Sequence, residues 1–230
     1  MHKKEKIDWA TRWPRAKELH QTHKLHARNV YAKQITHTVN STLVFFPPSL
    51  IKRMQKELCT AGQSLEKEIL DRTAILPTKA YRELDELFEG KSTTGWHYNR
   101  YSFINETTLS RKGVLDTVVH ELVHLMERST GIKHTTQSGE ICATALPLYL
   151  RSLISAKQRK NAIKSSELPP HKDAPASESR RIGNQTFRLA DEIRTRKGEE
   201  RAKQFFWDLF LSKTLGIRDI KKAYDKAITT

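Results

Sequence analysis

The stretch Val118-Val119-His120-Glu121-Leu122-Val123-His124-Leu125-Met126 constrains this chain more than any other. Apolar residues flank and separate two histidines and a glutamate, which predicts a helix buried on most of its surface. The helix is expected over about 112–129, stopping at Gly131. A fold that buries it must find partners for the imidazoles and the carboxylate, because unpaired polar groups are costly away from water. Residues four apart on a helix lie one above the other, so His120 and His124 share a face.

Two imidazoles on one face can be held by a single ion. Zinc suits imidazole, has no geometric demand of its own and takes about four ligands. Glu121 follows the first histidine directly. Its carboxylate can reach a water beside the ion, take its proton and later deliver that proton to a leaving amine. The plainer account is a core helix whose histidines hydrogen-bond to neighbours. A metal satisfies all three groups at once.

His-Glu-x-x-His on a helix resembles the signature of the zincin metallopeptidases, and the likeness covers about residues 95–155. Arg100–Asn105 looks like the edge strand that runs beside the zincin cleft, so a substrate strand is expected to pair with it. The metzincin extension is missing: Arg128 and Thr130 fall where its pattern fails, and no histidine follows at its distance. Glu140 opens the next helical stretch, Ser138-Gly139-Glu140-Ile141-Cys142-Ala143-Thr144, as in the gluzincins. That resemblance implies His120, His124 and Glu140 as zinc ligands and Glu121 as general base. Thr144 departs from it, standing where many gluzincins carry an aspartate, although its hydroxyl could still bond a ligand. An ordinary helix-capping acid is the other account of Glu140. His134 is the competing third ligand, as in the SprT-like proteases, but Thr135-Thr136-Gln137 follow it instead of that family's residues. For the oxyanion donor that peptide hydrolysis needs, the sequence offers Tyr98, Tyr101, Tyr149, His97, His171, Arg180 and Arg181 without choosing among them.

Formal net charge is +15, and it is uneven. Residues 1–40 hold nine Lys/Arg against three acids, whereas 41–110 hold nine of each. A field of that sign attracts polyanions, so nucleic acid or a ribosome is the alternative partner to a peptide or protein substrate. The alternative function is accordingly a nucleic-acid- or ribosome-associated protein with a structural or inactive zinc site, or a protease recruited to nucleoprotein. No RNP motif, zinc-finger spacing or helix-turn-helix signature supports it. Solvated basic side chains are the bland account. His20, His23 and His26 lack a carboxylate or cysteine at ligand spacing, and Trp9 and Trp13 read as helix anchors. Two distant cysteines, Cys59 and Cys142, exclude a disulfide scaffold and fit a reducing compartment. No apolar run is long enough for a membrane span or follows Met1–Lys6 as an export signal would, so a cytoplasmic location is expected.

The expected fold class is α+β, mostly helical, with a zincin-like core and a small short-stranded sheet. Four parts are expected: a basic N-terminal helical arm (1–40), the core (41–165), a Pro- and Ser-rich linker or mobile loop (166–182) and a C-terminal helical part packing on the core (183–230). Within them the patterns predict a helix over 14–37 with a stripe of Ala16, Leu19, Ala27 and Val30. A strand is predicted over Ser41–Phe46, and a helix over about 50–72 capped by Ser49. Further helices are expected over 77–88, from Ser138 to about 164 with a kink at Pro147, and over 183–197, 199–214 and 217–228. Residues 91–105 read as extended, with a turn at Gly95.

Overall fold

The computed structural model describes residues 9–26, 28–60, 62–88, 95–98, 100–132, 136–167, 177–212 and 215–229. Two helices, α1 (Trp9–His23) and α2 (Ala32–Leu43), stand where one was expected over 14–37. The chain breaks between them because its backbone bonds to a strand instead of to itself: Lys24 bridges Ala74, and the Leu25 amide donates to the Thr73 carbonyl at 2.9 Å.

The strand expected over Ser41–Phe46 is absent; α2 runs into it and a turn follows. Ile35, Thr38, Val39 and Thr42 are buried at helical spacing, and the Thr42 hydroxyl donates to the Thr38 carbonyl at 2.7 Å. Phe45 and Phe46 pack edge-on against Tyr149 and Phe210. β-propensity reports fit to a half-buried pleated surface, and here a helix face and a turn bury the same side chains.

The helix expected over 50–72 is likewise two, α3 (Pro48–Leu58) and α4 (Leu65–Asp71). Pro47, not Ser49, precedes α3, while Ser64 caps α4 by accepting from the Lys67 amide at 3.2 Å. Next comes a strand that the patterns did not reveal, β1 (Thr73–Leu76), and then α5 (Thr78–Leu87), close to expectation. The extended region forms a hairpin of β2 (Gly95–Tyr98) and β3 (Tyr101–Asn105), with Gly95 opening a strand rather than marking a turn. The sheet order is β1-β3-β2, with β3 parallel to β1 and antiparallel to β2. The 100–105 segment is therefore the middle strand and not an edge. After the α5 crossover, the hairpin folds β3 back into the place beside β1, which leaves β2 at one edge and β1, bonded by Lys24 and Leu25, at the other.

Seven helices complete the described chain: α6 (Glu106–Lys112), α7 (Val114–Thr130), α8 (Thr136–Ile154), α9 (Ala156–Glu167), α10 (Ser177–Lys197), α11 (Glu199–Leu211) and α12 (Ile217–Thr229). Gly131, at φ 69°, ends α7 in the left-handed conformation that glycine tolerates. Ser138 lies inside α8 rather than capping it, and α8 continues past Pro147 to Ile154. The expected single helix ends there, and the Ser155 hydroxyl accepts from the Gln158 amide at 3.2 Å as α9 begins. Helices occupy both ends of the expected 166–182 linker; 168–176 lie outside the described residues.

The protein is a mostly helical α+β molecule with a small mixed sheet. That sheet separates two apolar clusters. Ala74, Leu76 and Phe103 face α1 and α5, whereas Ile75 and Ile104 face a larger cluster reaching from Ile35 to Ala227. The larger cluster crosses the expected boundaries after residues 40 and 182, so the arm and the C-terminal part share one core with the middle. Ala16 and Leu19 of the expected stripe are buried, Val30 is 82% exposed, and Ala27 lies outside the described residues. Trp13 packs 5.4 Å from the Tyr101 ring, as an anchor should. Among the described residues no helix is long and apolar enough to cross a membrane.

His20 belongs to this packing and not to a metal cluster with its neighbours. Its ring sits 4.5 Å from Tyr101 and 5.9 Å from Phe103, while His23 is half-buried and His26 exposed. Burial lowers the His20 pKa to about 4, outweighing the Arg72 backbone, which favours the proton. A lowered histidine pKa means that the unfolded chain binds more protons, so stability falls as pH drops from about 6.5 toward 4. The loss attributable to this ring is at most about 3 kcal/mol. Urea unfolding at pH 7 and pH 4.5 should show that loss in the wild type and a clearly smaller one in His20→Phe; equal losses would remove His20 as its source.

Candidate metal centre

α7 is buried on nearly every side, including Val118, Val119, Leu122, Val123, Leu125 and Met126. Gly113, at φ 90°, separates it from α6, and α8 packs along it. This pairing sets the first turn of α8 against the middle of α7. His120, His124 and Glu140, the three residues singled out in the sequence, lie together there.

Their donor atoms converge. His124 Nε2 lies 3.3 Å from His120 Nε2 and 3.3 Å from Glu140 Oε1, and His120 Nε2 lies 3.9 Å from Glu140 Oε2. A tetrahedral ion with bonds of about 2.0–2.1 Å separates its ligands by about 3.3–3.4 Å. The two spacings from His124 Nε2 match that edge; His120 comes nearest to the other carboxylate oxygen, and with one ligand atom from each residue the three lie within 4.8 Å of one another. Glu140 Oε2 is buried without a hydrogen bond. Among the described residues this is the group of three whose ligand atoms could hold one ion. The donor set, two imidazoles and a carboxylate, is one that zinc accepts while keeping a fourth position open.

The ring orientations have causes. The Ala143 carbonyl on α8 lies 2.9 Å from His120 Nδ1. A carbonyl only accepts, so Nδ1 carries the proton and Nε2 keeps its lone pair for the site. His124 Nδ1 faces Glu127 Oε2 at 3.7 Å. The sequence reading did not single out Glu127, although its place three residues after His124 puts it on the same face.

Charge follows from the packing. Burial lowers the His120 pKa, and Glu121 opposes it. Burial also pulls on His124, but the carboxylates of Glu127 and Glu140 prevail and raise it to about 10. Burial favours the neutral form of Glu140, yet His124, His120 and the charge of Arg180 together hold its carboxyl below the usual range. His124 must give up that proton to bind an ion, so uptake of metal releases protons and weakens as pH falls.

Glu121 is 3% exposed, and its charge acts on both rings. A void of about 10 Å³, lined also by Thr73 and Ser102, adjoins it. A cavity of about 550 Å³ opens elsewhere, at the start of α7 between Lys33, His37 and Arg151, and does not include His120, His124 or Glu140.

The other expected residues separate. Thr144 lies against Gly183 of α10, where an added Cβ would come within 2.7 Å of the Thr144 Cβ; the acceptor for His120 is main chain instead. Tyr149 packs among Phe45 and Phe206, and Tyr101 lies on the α1 side of the sheet. Arg181 is held by Glu178 at 2.6 Å, whereas Arg180 is half-buried and acts on Glu140. His134 and His171, and the side chains of His97 and Tyr98, lie outside the described residues.

Comparison with family models, with curated proteins and with solved structures finds no match. Elemental analysis of purified protein offers a direct check. Wild type and His134→Ala should each carry about one zinc per chain, with content falling at least about tenfold in His120→Ala, His124→Ala and Glu140→Ala. Full zinc content in Glu140→Ala would exclude it as a ligand.

Proposed function

We propose that this chain is a zinc-dependent metallopeptidase of zincin-like design that hydrolyses peptide bonds in a peptide or protein substrate. The observation that carries the proposal is the convergence of His120, His124 and Glu140, one ligand atom of each lying within 4.8 Å of the others, with His124 Nε2 3.3 Å from both His120 Nε2 and Glu140 Oε1. A bound zinc ion supplies a Lewis acid for the scissile carbonyl and brings the pKa of water near neutrality. Glu121 then takes the proton of the attacking water and returns it to the leaving amine. Its near-complete burial keeps that carboxylate in a low-dielectric setting where a nearby cation acts on it strongly.

Substrate recognition belongs to the outermost strand. Because β3 is paired on both sides, β2 offers the backbone edge, and α7 packs against both strands. An extended peptide laid along β2 would be held by main-chain bonds with little sequence preference. A cytoplasmic location is part of the same reading, and the free thiols of buried Cys142 and half-buried Cys59 suit a reducing compartment.

A second reading has its own observation. Lys157, Lys160 and Lys164 are exposed along α9, whose first acid is its last residue, Glu167. Such a stripe would draw the protein to nucleic acid or another polyanion. α1 no longer supports this role as a free arm, because it packs on the sheet.

Glu121→Gln separates the two readings. With fluorescently labelled casein as the probe, the variant should keep its zinc and lose about 10²–10⁴-fold in cleavage rate. Its binding to DNA or RNA should be unchanged. Cleavage at the wild-type rate by zinc-loaded Glu121→Gln would overturn the peptidase reading.

A further inference from the structure

We propose that Glu127 is a positioning residue of the metal centre, accepting the Nδ1 proton of His124 so that Nε2 faces the ion, and that residue 139 is glycine to leave room for this carboxylate. The role presupposes the metal reading above and deepens it.

The two histidines are oriented differently. His120 has a neutral main-chain acceptor, the Ala143 carbonyl. His124 has an anionic side chain at 3.7 Å from its Nδ1, one turn further along its own helix. A carboxylate behind a metal-bound imidazole fixes its tautomer and raises its basicity. Glu127 is 7% exposed, so its carboxylate acts on the ring in a low-dielectric setting.

Gly139 is the independent observation. An ideal Cβ on Gly139 would stand 2.7 Å from Glu127 Oε2 and 3.5 Å from its Cδ. The Glu127 carboxylate thus fills the place of a side chain at residue 139, directly before the ligand Glu140. Gly139 lies within α8 and has no φ in the region that favours glycine, so its local backbone does not demand glycine. Glycine in a helix is unfavourable relative to alanine, so something else must explain it. The obstacle is the end of a flexible side chain. Alanine at 139 would therefore be accommodated by moving Glu127 off His124, without opening the α7–α8 contact.

This yields a test that separates positioning from stability. Zinc affinity would be measured by chelator competition, with thermal unfolding of the metal-free protein and the visible absorption of the cobalt-substituted protein alongside. Glu127→Ala should weaken zinc about 10–100-fold, with Glu127→Gln in between. Gly139→Ala should also weaken zinc and alter the cobalt spectrum, while its metal-free unfolding temperature is equal to or above that of the wild type. A residue of purely structural value would not lower metal affinity while stability held or rose. Zinc affinity within about twofold of wild type in both Glu127→Ala and Gly139→Ala would overturn the proposal. Should Glu127→Ala fail to fold, Gly139→Ala decides alone. A wild type that takes up neither zinc nor cobalt would remove the metal reading itself, and this role with it.

Discussion

The rest of the structure answers to one constraint: a single helix carries four ionisable side chains into the protein interior. His120, Glu121, His124 and Glu127 sit within eight residues of α7, and Glu121 and Glu127 are nearly sealed from solvent. Charges in such a place cost several kcal/mol each unless they are paired. Most of the pairing comes from α8, which brings the Glu140 carboxylate and the Ala143 carbonyl to the two rings. The glycines serve the same end. Gly139 makes room for Glu127, and Gly183 lets α10 approach α8 at Ile141 and Thr144, where any Cβ would meet atoms at 2.7–3.0 Å. Small residues at these contacts keep the helices close enough for the charges to find one another.

The remaining architecture holds that pair of helices in place. α2 and α3 pack on α7, the sheet supports it through Ile104 and Ile75, and α10 and α11 enclose α8 through Phe187, Phe205, Phe206 and Phe210, with α12 packed on those two helices. α1, within the expected basic N-terminal helical arm, is a supporting layer behind the sheet. Its histidine and tryptophan are used for packing. Charge alone could not show this, because a basic helix needs only a narrow apolar stripe to dock. Ala16 and Leu19 are enough, with Trp13 beside them.

Several local signals were readable from the chain and several misled. Gly131 ends α7 as its position implied, and the hairpin falls in the aromatic run before Asn105. Ser41–Phe46 has strand-like residues, yet it closes a helix, because its aromatic rings are buried by α8 and α11 and not by a neighbouring strand. The short strand Thr73–Leu76 has no alternation to betray it, being buried on both faces between two layers of helices. Its discovery moves β3 to the centre and makes β2 the outer strand, which no one-dimensional pattern contains.

The sequence by itself determined the chemistry of α7: two imidazoles at helical spacing with an acid between them, on a helix too apolar to remain at the surface. It also placed Glu140 at the start of the helix that follows. Tertiary structure decided which atoms meet. The closing of Glu140 onto both rings, the approach of the Ala143 carbonyl to His120, and the order of the strands all depend on distances between residues far apart along the chain. Helix periodicity is a local property set by the backbone and is legible in a short window. Convergence of side chains is set by how close whole helices pack, and that depends on the joint fit of every buried group.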